Sequence, residues 1–474
     1  LSCSSRTDSL DADVLSATTA VHTGNLITDF YDDIRELATA SWHEPVRDDP
    51  ARFGVGGALP DLTPAVRRYF AAAEVSWHEL GSYRDHRLML LNLARNPGTN
   101  TTKTFASLLI VARAVEFVRQ TGEPVVIFSP TSANKGTALR DAVARAVSCG
   151  LVAPEQLRVV VLAPAANAHK LRADALSADS RLAELNPLLT YADPVAENVK
   201  TLGRRFVDEY AATLHQRYGG HLWYSLDLNN YLIADVGRAL FEHAVAPVDK
   251  ADRHRTHAHA VSSAFGLLGY HAGRDMLERS GQSDPMRRPY SLLVQHLGTP
   301  DMVLHVQHGD FDRTRIPQYR LDLGTGEHQQ GSDPHFPLRT SHPGEVLDPT
   351  FYTRRPATAD RMTDIIKRHG GDGIVVSGLE CRRRYAQLAP LLTDAGFRVP
   401  EDPAAVREWS LMMAFTGVLN GIDRGLVHPT HDMVVHGSGW YTDDDMEPLT
   451  GRGVTQVSSA EDIFTCVSAG SAPC

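Results

Sequence analysis

A strand, a polar loop and a helix follow one another and then recur, and this succession constrains the fold more than any other feature. Pro124-Val125-Val126-Ile127-Phe128-Ser129 is a β-branched and aromatic run that enters the polar loop Pro130-Thr131-Ser132-Ala133-Asn134-Lys135-Gly136, and a helical pattern takes over from Thr137 to Ser148. Leu157 to Pro164 repeats the strand ahead of a helix-like stretch from Asn167 to Ala178. A third strand at Leu188 to Tyr191 precedes a helix from Asn198 to Tyr218. Uninterrupted apolar strands separated by helices need crossover connections, so the pattern predicts a mostly parallel sheet with helices on both faces. In such α/β sheets ligands bind beyond the carboxyl ends of the strands, where amides and short polar side chains hold anions.

Three further segments carry polar residues at the ends of predicted elements. The strand Leu88 to Leu93 leads to Asn96-Pro97-Gly98-Thr99-Asn100-Thr101-Thr102-Lys103-Thr104-Phe105, which sets Lys103 at the start of an apolar helix reaching about Gln120. An ammonium there is costly unless paired or neutralised, and lysines of lowered pKa form Schiff bases; the competing reading is a side chain that snorkels to solvent. After an apolar helix ending near Val245 and the His254 to His259 stretch, the small residues Ser262, Ser263 and Ala264, with Phe265 and Gly266, open another helix. Small residues let backbone N–H groups approach an anion closely. Near the end, the strand Met433 to Val435 delivers His436-Gly437-Ser438-Gly439-Trp440.

The remaining expectations concern organisation. Residues 1–25 read as an arm, Phe30 to Leu37 and Pro64 to Phe70 as helices, and Leu292 to Gln295 and Met302 to Val306 as strands. Residues 321–350 read as a long loop or insertion, followed by a helix from Ala357, a strand at Gly373 to Ser377, and helices at Glu380 to Ala395 and Glu408 to Gly421. With 474 residues, 42% of them hydrophobic, the chain supports two domains. A net charge of −10 gives no basic footprint for nucleic acid or an anionic membrane. No apolar run is long enough to span a bilayer, and Leu1 to Thr7 lacks a signal-peptide succession, so a cytoplasmic protein is expected. Five dispersed cysteines without a Cys-x-x-Cys pair argue against a disulfide framework or structural zinc.

Two other chemistries are weaker. Gly98 to Thr104 offers a glycine, four residues, a lysine and a threonine, but Lys103 stands where a Walker loop needs its second glycine. A nucleotide-binding phosphotransferase is therefore disfavoured. His257 with His259, or His428, His431 and His436, could suggest a metal hydrolase, yet 22 histidines produce such pairs by chance and no His-Glu-x-x-His segment occurs. No metal site is expected.

Taken as an ordered set, these segments resemble the fold-type II pyridoxal-phosphate enzymes, the superfamily of tryptophan synthase β, cysteine synthase and threonine synthase. The resemblance spans roughly residues 85–445. Pro130 to Gly136 is similar to the Pro-Thr-Ser-Gly-Asn-Thr-Gly loop of cysteine synthases, while Tyr224 to Asn229 and Arg354-Arg355-Pro356-Ala357 lean toward threonine synthase and cysteate synthase. The resemblance implies two three-layer α/β/α domains with the active site between them. The boundaries implied are an N-terminal domain at 26–215 with a mobile part at about 120–215, and a C-terminal domain at 216–474. It implies pyridoxal 5'-phosphate as cofactor, with Lys103 as Schiff-base lysine and proton shuttle, and Asn134 on the phenolic oxygen. Ser262, Ser263, Ala264, Phe265 and Gly266 would receive the phosphate, and Ser438 would face the pyridine nitrogen. Thr131 and Ser132 would take the substrate carboxylate; Lys135, Arg354 and Arg355 are candidates for a second anionic group. The implied activity is β- or γ-elimination or replacement on an activated amino acid by a homodimer in amino-acid or specialised metabolism, with a non-catalytic cofactor-binding homologue as the alternative. Three stretches depart from the family: Thr102 stands where Phe is usual, Ala133 and Lys135 replace Gly and Thr, and the phosphate loop is Ser-Ser-Ala-Phe-Gly instead of a glycine run.

Overall fold

In the computed structural model, which describes residues 21–42, 44–449 and 453–470, Val125–Pro130 pairs in parallel with Leu157–Pro164 and with His221–Tyr224. Leu188–Tyr191 and Thr455–Val457 extend this to five parallel strands in the order Thr455–Val457, Leu188–Tyr191, Leu157–Pro164, Val125–Pro130, His221–Tyr224. Leu157–Pro164 is buried at every residue, as a central strand covered on both faces requires.

A second sheet has seven strands, ordered Val21–Asn25, Glu74–Tyr83, His86–Asn92, Asp432–Gly437, Arg255–Ala260, Tyr290–His296 and Gly371–Val376. The first three are antiparallel neighbours and the pairings from His86–Asn92 onward are parallel. Gly437 stands opposite Asn92, and His436 opposite His259, so three strands end side by side. Their carboxyl ends release the segments that carry Lys103, Ser438 and Ser262–Gly266 toward one place.

The helix Lys103–Thr121 is buried from Thr104 to Val118 and packs against helices Asn134–Ser148 and Asn229–Asp235 and the strand Leu157–Pro164. A helix so largely apolar around its circumference must be surrounded by protein, and its buried Arg113 is satisfied by Gly56 and Asn230. Phe105, Leu108, Ile110 and Val111 are fully enclosed, each contributing about 1.5–3 kcal/mol. Gly122, at φ +75°, ends it with a left-handed cap. The helix Ser410–Asp423, buried over Ser410–Ile422, covers the larger sheet in the same way.

Several expectations change. A division at residue 215 does not follow the sheets: Glu74–Tyr83 and His86–Asn92 belong to the larger sheet, His221–Tyr224 and Thr455–Val457 to the smaller. Strand pairing is set by distant partners, which local pattern cannot show. Val21–Asn25 is an edge strand paired to Glu74–His78; residues 1–20 of the expected arm lie outside the described residues. Met302–Val306 lies within the helix Asp301–His308, ended by Gly309 at φ +78°, because a short apolar run fits a buried helix as well as a strand. Residues 321–350 contain parts of a small antiparallel sheet, Arg320–Asp322, Glu327–Gln329 and Arg339–Thr340, instead of being all loop. Asn167–Ala178 forms a 3-10 turn, Ala165–Lys170, and a one-turn helix, Ala175–Ala178, because Lys170 is drawn inward to two buried carboxylates.

Candidate active site

The loop before Lys103 is knitted together by its own polar side chains. Asn96 donates to the Thr101 carbonyl at 2.8 Å and accepts from the Thr99 hydroxyl at 2.6 Å, while Thr99 and Thr104 share a hydrogen bond of 2.6 Å. Asn100 takes the left-handed conformation at φ +54°, which asparagine tolerates better than most residues. This explains the irregular run of threonines: they satisfy a buried turn. The Thr102 N–H then donates to the Ser438 carbonyl at 2.8 Å, and Trp440 N–H to the Asn100 carbonyl at 3.0 Å. These bonds clamp the segment of Lys103 to that of Ser438.

A cavity of about 380 Å³ lies where the two sheets aim their carboxyl ends. It is lined by Lys103, Thr131, Ser132, Asn134, Lys135, Ser262–Gly266, Arg355 and Ser438. Arg354 is exposed and outside that lining. Only six lysines occur in the whole sequence, and three of them, Lys103, Lys135 and Lys200, line this cavity. Burial lowers Lys103, with Arg238 adding to the effect against the pull of Asp235 and Glu408. Its exposed surface faces the cavity.

Lys135 donates to the Ser225 carbonyl at 2.6 Å and lies 3.4 Å from the Ser225 hydroxyl, with no carboxylate in ion-pair reach among the described residues. Burial, and then Lys103, bring its pKa down to about 7. Both amines lie near Tyr231, whose ring stacks on Phe265 at 4.9 Å.

The hydroxyls of Ser438 and Thr131 are buried and have no hydrogen-bond partner among the described residues. Such orphaned groups are rare and costly, and here both belong to residues lining a cavity. Ala264, at φ +53°, caps the fifteen-residue helix Phe265–Arg279, so the N–H groups of that first turn open into the cavity. An added Cβ at Gly266 would stand 2.6 Å from Nη1 of the fully buried Arg238, so that guanidinium would have to move. Ala133 adopts φ +103° and ψ −58° immediately before the helix that begins at Asn134.

Sequence reasoning missed the wall behind the lysine. Arg238, fully buried, pairs with Asp235 at 2.6 Å, donates to the Thr102 hydroxyl at 2.6 Å, and reaches His259 and His436 at 3.3 Å. Burial, with Arg238 beside them, drives both histidines well below their ordinary range, so they stand as neutral acceptors. The signal available was Asp235 and Arg238 three apart, at the junction of the helices Asn229–Asp235 and Gly237–Val245. Glu408 and Ser410 also line the cavity, as do Glu197 and Lys200, paired at 2.9 Å.

This architecture is the fold of the fold-type II pyridoxal-phosphate enzymes. Threonine synthase from Brucella melitensis is similar to it with a TM-score of 0.50 at 11% identity, over 93% of this chain and 84% of that one. Threonine synthase from yeast matches with a TM-score of 0.48 at 10% identity, over 92% and 84%. An L-serine ammonia-lyase from Rhizomucor miehei matches with a TM-score of 0.42 at 12% identity, over 76% and 90%. No curated protein matches the sequence. The chain belongs to the family of unknown function DUF6002, matched over residues 22–471.

Proposed function

We propose that this protein is a pyridoxal 5'-phosphate-dependent enzyme of β- or γ-elimination or replacement, acting on an activated amino acid such as a phospho- or acyl-hydroxy amino acid. The observation that carries the proposal is the cavity that joins a half-buried Lys103 of lowered pKa to a Ser438 hydroxyl without a partner among the described residues and an open helix N-terminus. These groups suit an aldehyde, a pyridine nitrogen and a phosphate respectively. Lys103 would hold the aldehyde carbon, Ser438 the ring nitrogen, Asn134 the phenolic oxygen, and Ser262, Ser263, Ala264, Phe265 and Gly266 the phosphate. When bound, the cofactor supplies an electron sink that acidifies the Cα–H of an amino acid.

The chain's own residues do the rest. The Lys103 amine, once free, accepts the Cα proton and returns it, a role that the burial lowering its pKa favours. Thr131, whose hydroxyl lacks a partner, and Ser132 receive the substrate carboxylate. Lys135 and Arg355 face a second anionic group from the cavity wall and its exposed rim. A neutral hydroxyl at the ring nitrogen leaves that nitrogen largely unprotonated, which suits elimination and replacement. Closure of residues at about 120–215 would exclude water. The same reading holds the protein to be a cytoplasmic homodimer of amino-acid or specialised metabolism.

The test is to add pyridoxal phosphate to the purified protein, reduce with borohydride and map the labelled peptide. Label on the peptide containing Lys103 is expected; no label, or label elsewhere, sinks the proposal. Spectral change on adding phosphoserine, acetylserine, phosphohomoserine or acetylhomoserine then separates an enzyme from an inert binder.

A further inference from the structure

Lys170 stands at the end of the turn Ala165–Lys170, just past the carboxyl end of Leu157–Pro164 in the smaller sheet. Its side chain is 1% exposed, with Nζ 2.6 Å from Asp348 Oδ2 and 3.1 Å from Glu408 Oε2, both carboxylates 2% exposed. Burial alone would strip its proton, but the attraction of Glu408 and Asp348 overrides this and holds the ammonium above the usual lysine range. A buried ion cluster of this kind costs desolvation and rarely adds net stability, so it calls for a role in fixing geometry.

The geometry it reaches is that of Asn134. Glu408 Oε2 also accepts from Asn134 Nδ2 at 2.7 Å, and Asn134 Oδ1 accepts from the Tyr441 hydroxyl at 2.9 Å. As the ionised partner of Lys170, the Glu408 carboxylate offers only acceptors, and so it selects the NH₂ end of the amide. Tyr441 takes the oxygen end. One amide N–H is thereby tied to Glu408, and the second has no protein partner among the described residues in the cavity that Asn134 lines. Glu408 Oε1 is occupied by the Ser410 N–H at 3.2 Å, which leaves the carboxylate no freedom to turn.

We infer that Lys170 is a positioning residue which, through Glu408 and with Tyr441, fixes the orientation of the Asn134 amide and hence the donor offered to the cofactor's phenolic oxygen. The inference rests on the reading of Lys103, Asn134 and Ser438 as a pyridoxal-phosphate site. Its signature is spectroscopic. A donor at the phenolic oxygen favours the ionised form of that oxygen, whereas a flipped amide presents its own oxygen and favours the protonated form. The two forms absorb at different wavelengths, so their ratio reports the amide's orientation independently of turnover.

The experiment compares wild type with Glu408→Gln, Tyr441→Phe, Lys170→Gln and Lys170→Arg, each shown by circular dichroism to be folded and titrated with pyridoxal phosphate. Glu408→Gln and Tyr441→Phe keep side-chain volume and decide the matter even if Lys170→Gln folds poorly. Expected is a shift of the absorbance ratio toward the protonated form in Glu408→Gln, Tyr441→Phe and Lys170→Gln. Cofactor binding should weaken about tenfold, as for loss of one hydrogen bond to a charged group. Lys170→Arg should retain the wild-type ratio. Folded Glu408→Gln and Tyr441→Phe that both show the wild-type ratio and affinity overturn the inference alone. A wild-type protein that takes up no pyridoxal phosphate overturns it together with the reading beneath it.

Discussion

Lys103 and Lys135 place their Nζ atoms 5.5 and 5.3 Å from the ring centre of the same residue, Tyr231. Two amines crowded around one ring in a buried cavity cannot both stay charged at low cost, since each penalises the ammonium of the other. Of the two, Lys103 has Asp235 and Glu408 pulling toward the charged form, whereas Lys135 is held by a carbonyl. The two amines therefore differ: burial and Lys103 bring Lys135 down to about 7, whereas Asp235 and Glu408 oppose the burial that lowers Lys103.

Lys103→Ala should remove hydride-trapped cofactor while leaving a folded protein, because the side chain bears on the cavity and makes no ion pair among the described residues. Mass spectrometry of the reduced protein checks this. Trapped cofactor on the peptide containing Lys135 would reassign the covalent lysine.

The Lys135 pair predicts a pH signature of stability. In the unfolded chain this lysine keeps its proton to about pH 10.4, but in the native protein it releases it from about 7 upward. Between those values the unfolded state binds the extra proton, so stability from this group rises with pH, and below 7 the full cost of burying the ammonium persists. Lys135→Met should raise the melting temperature most at pH 6, the gain shrinking toward pH 9. A gain independent of pH in parallel melts would contradict the argument.

Ser438→Ala separates folding from binding. The hydroxyl is buried without a partner, so its removal should leave the cofactor-free protein as stable or raise stability by about 1 kcal/mol. Cofactor affinity should fall nonetheless. Thermal melts without pyridoxal phosphate and a binding titration with it check the two halves; a loss of apo stability above about 1 kcal/mol would mean that the hydroxyl is hydrogen-bonded in the folded protein.

Ala133 and Ala264 make a matched comparison of backbone strain. Ala264 lies close to the left-handed well, whereas Ala133 at φ +103° and ψ −58° lies outside it. Relief of such strain gains about 1–3 kcal/mol, against about 1 kcal/mol lost in chain entropy and methyl burial. Ala133→Gly should therefore stabilise more than Ala264→Gly, by about 1 kcal/mol. Denaturant midpoints of the two variants measure the difference, and an equal or reversed order would refute it.

Local chemistry by itself determined the units. The apolar runs, the polar loop Thr131 to Gly136, the lysine at a helix start and the small residues at 262–266 are legible in order, because strand and helix periodicity and helix-start chemistry act over a few residues. Scarcity was legible too: with only six lysines in the chain, each was worth asking about. Tertiary structure alone decided which sheet each strand joins, why Thr99 to Thr104 must be threonine-rich, and which charges meet behind the site. Lys170, Asp348 and Glu408 lie far apart in sequence and come together only because the parallel strands of the two sheets turn their carboxyl ends on one cavity. Spacing carries no trace of such a meeting, since pairing between distant segments depends on the packed fold and not on the residues between them.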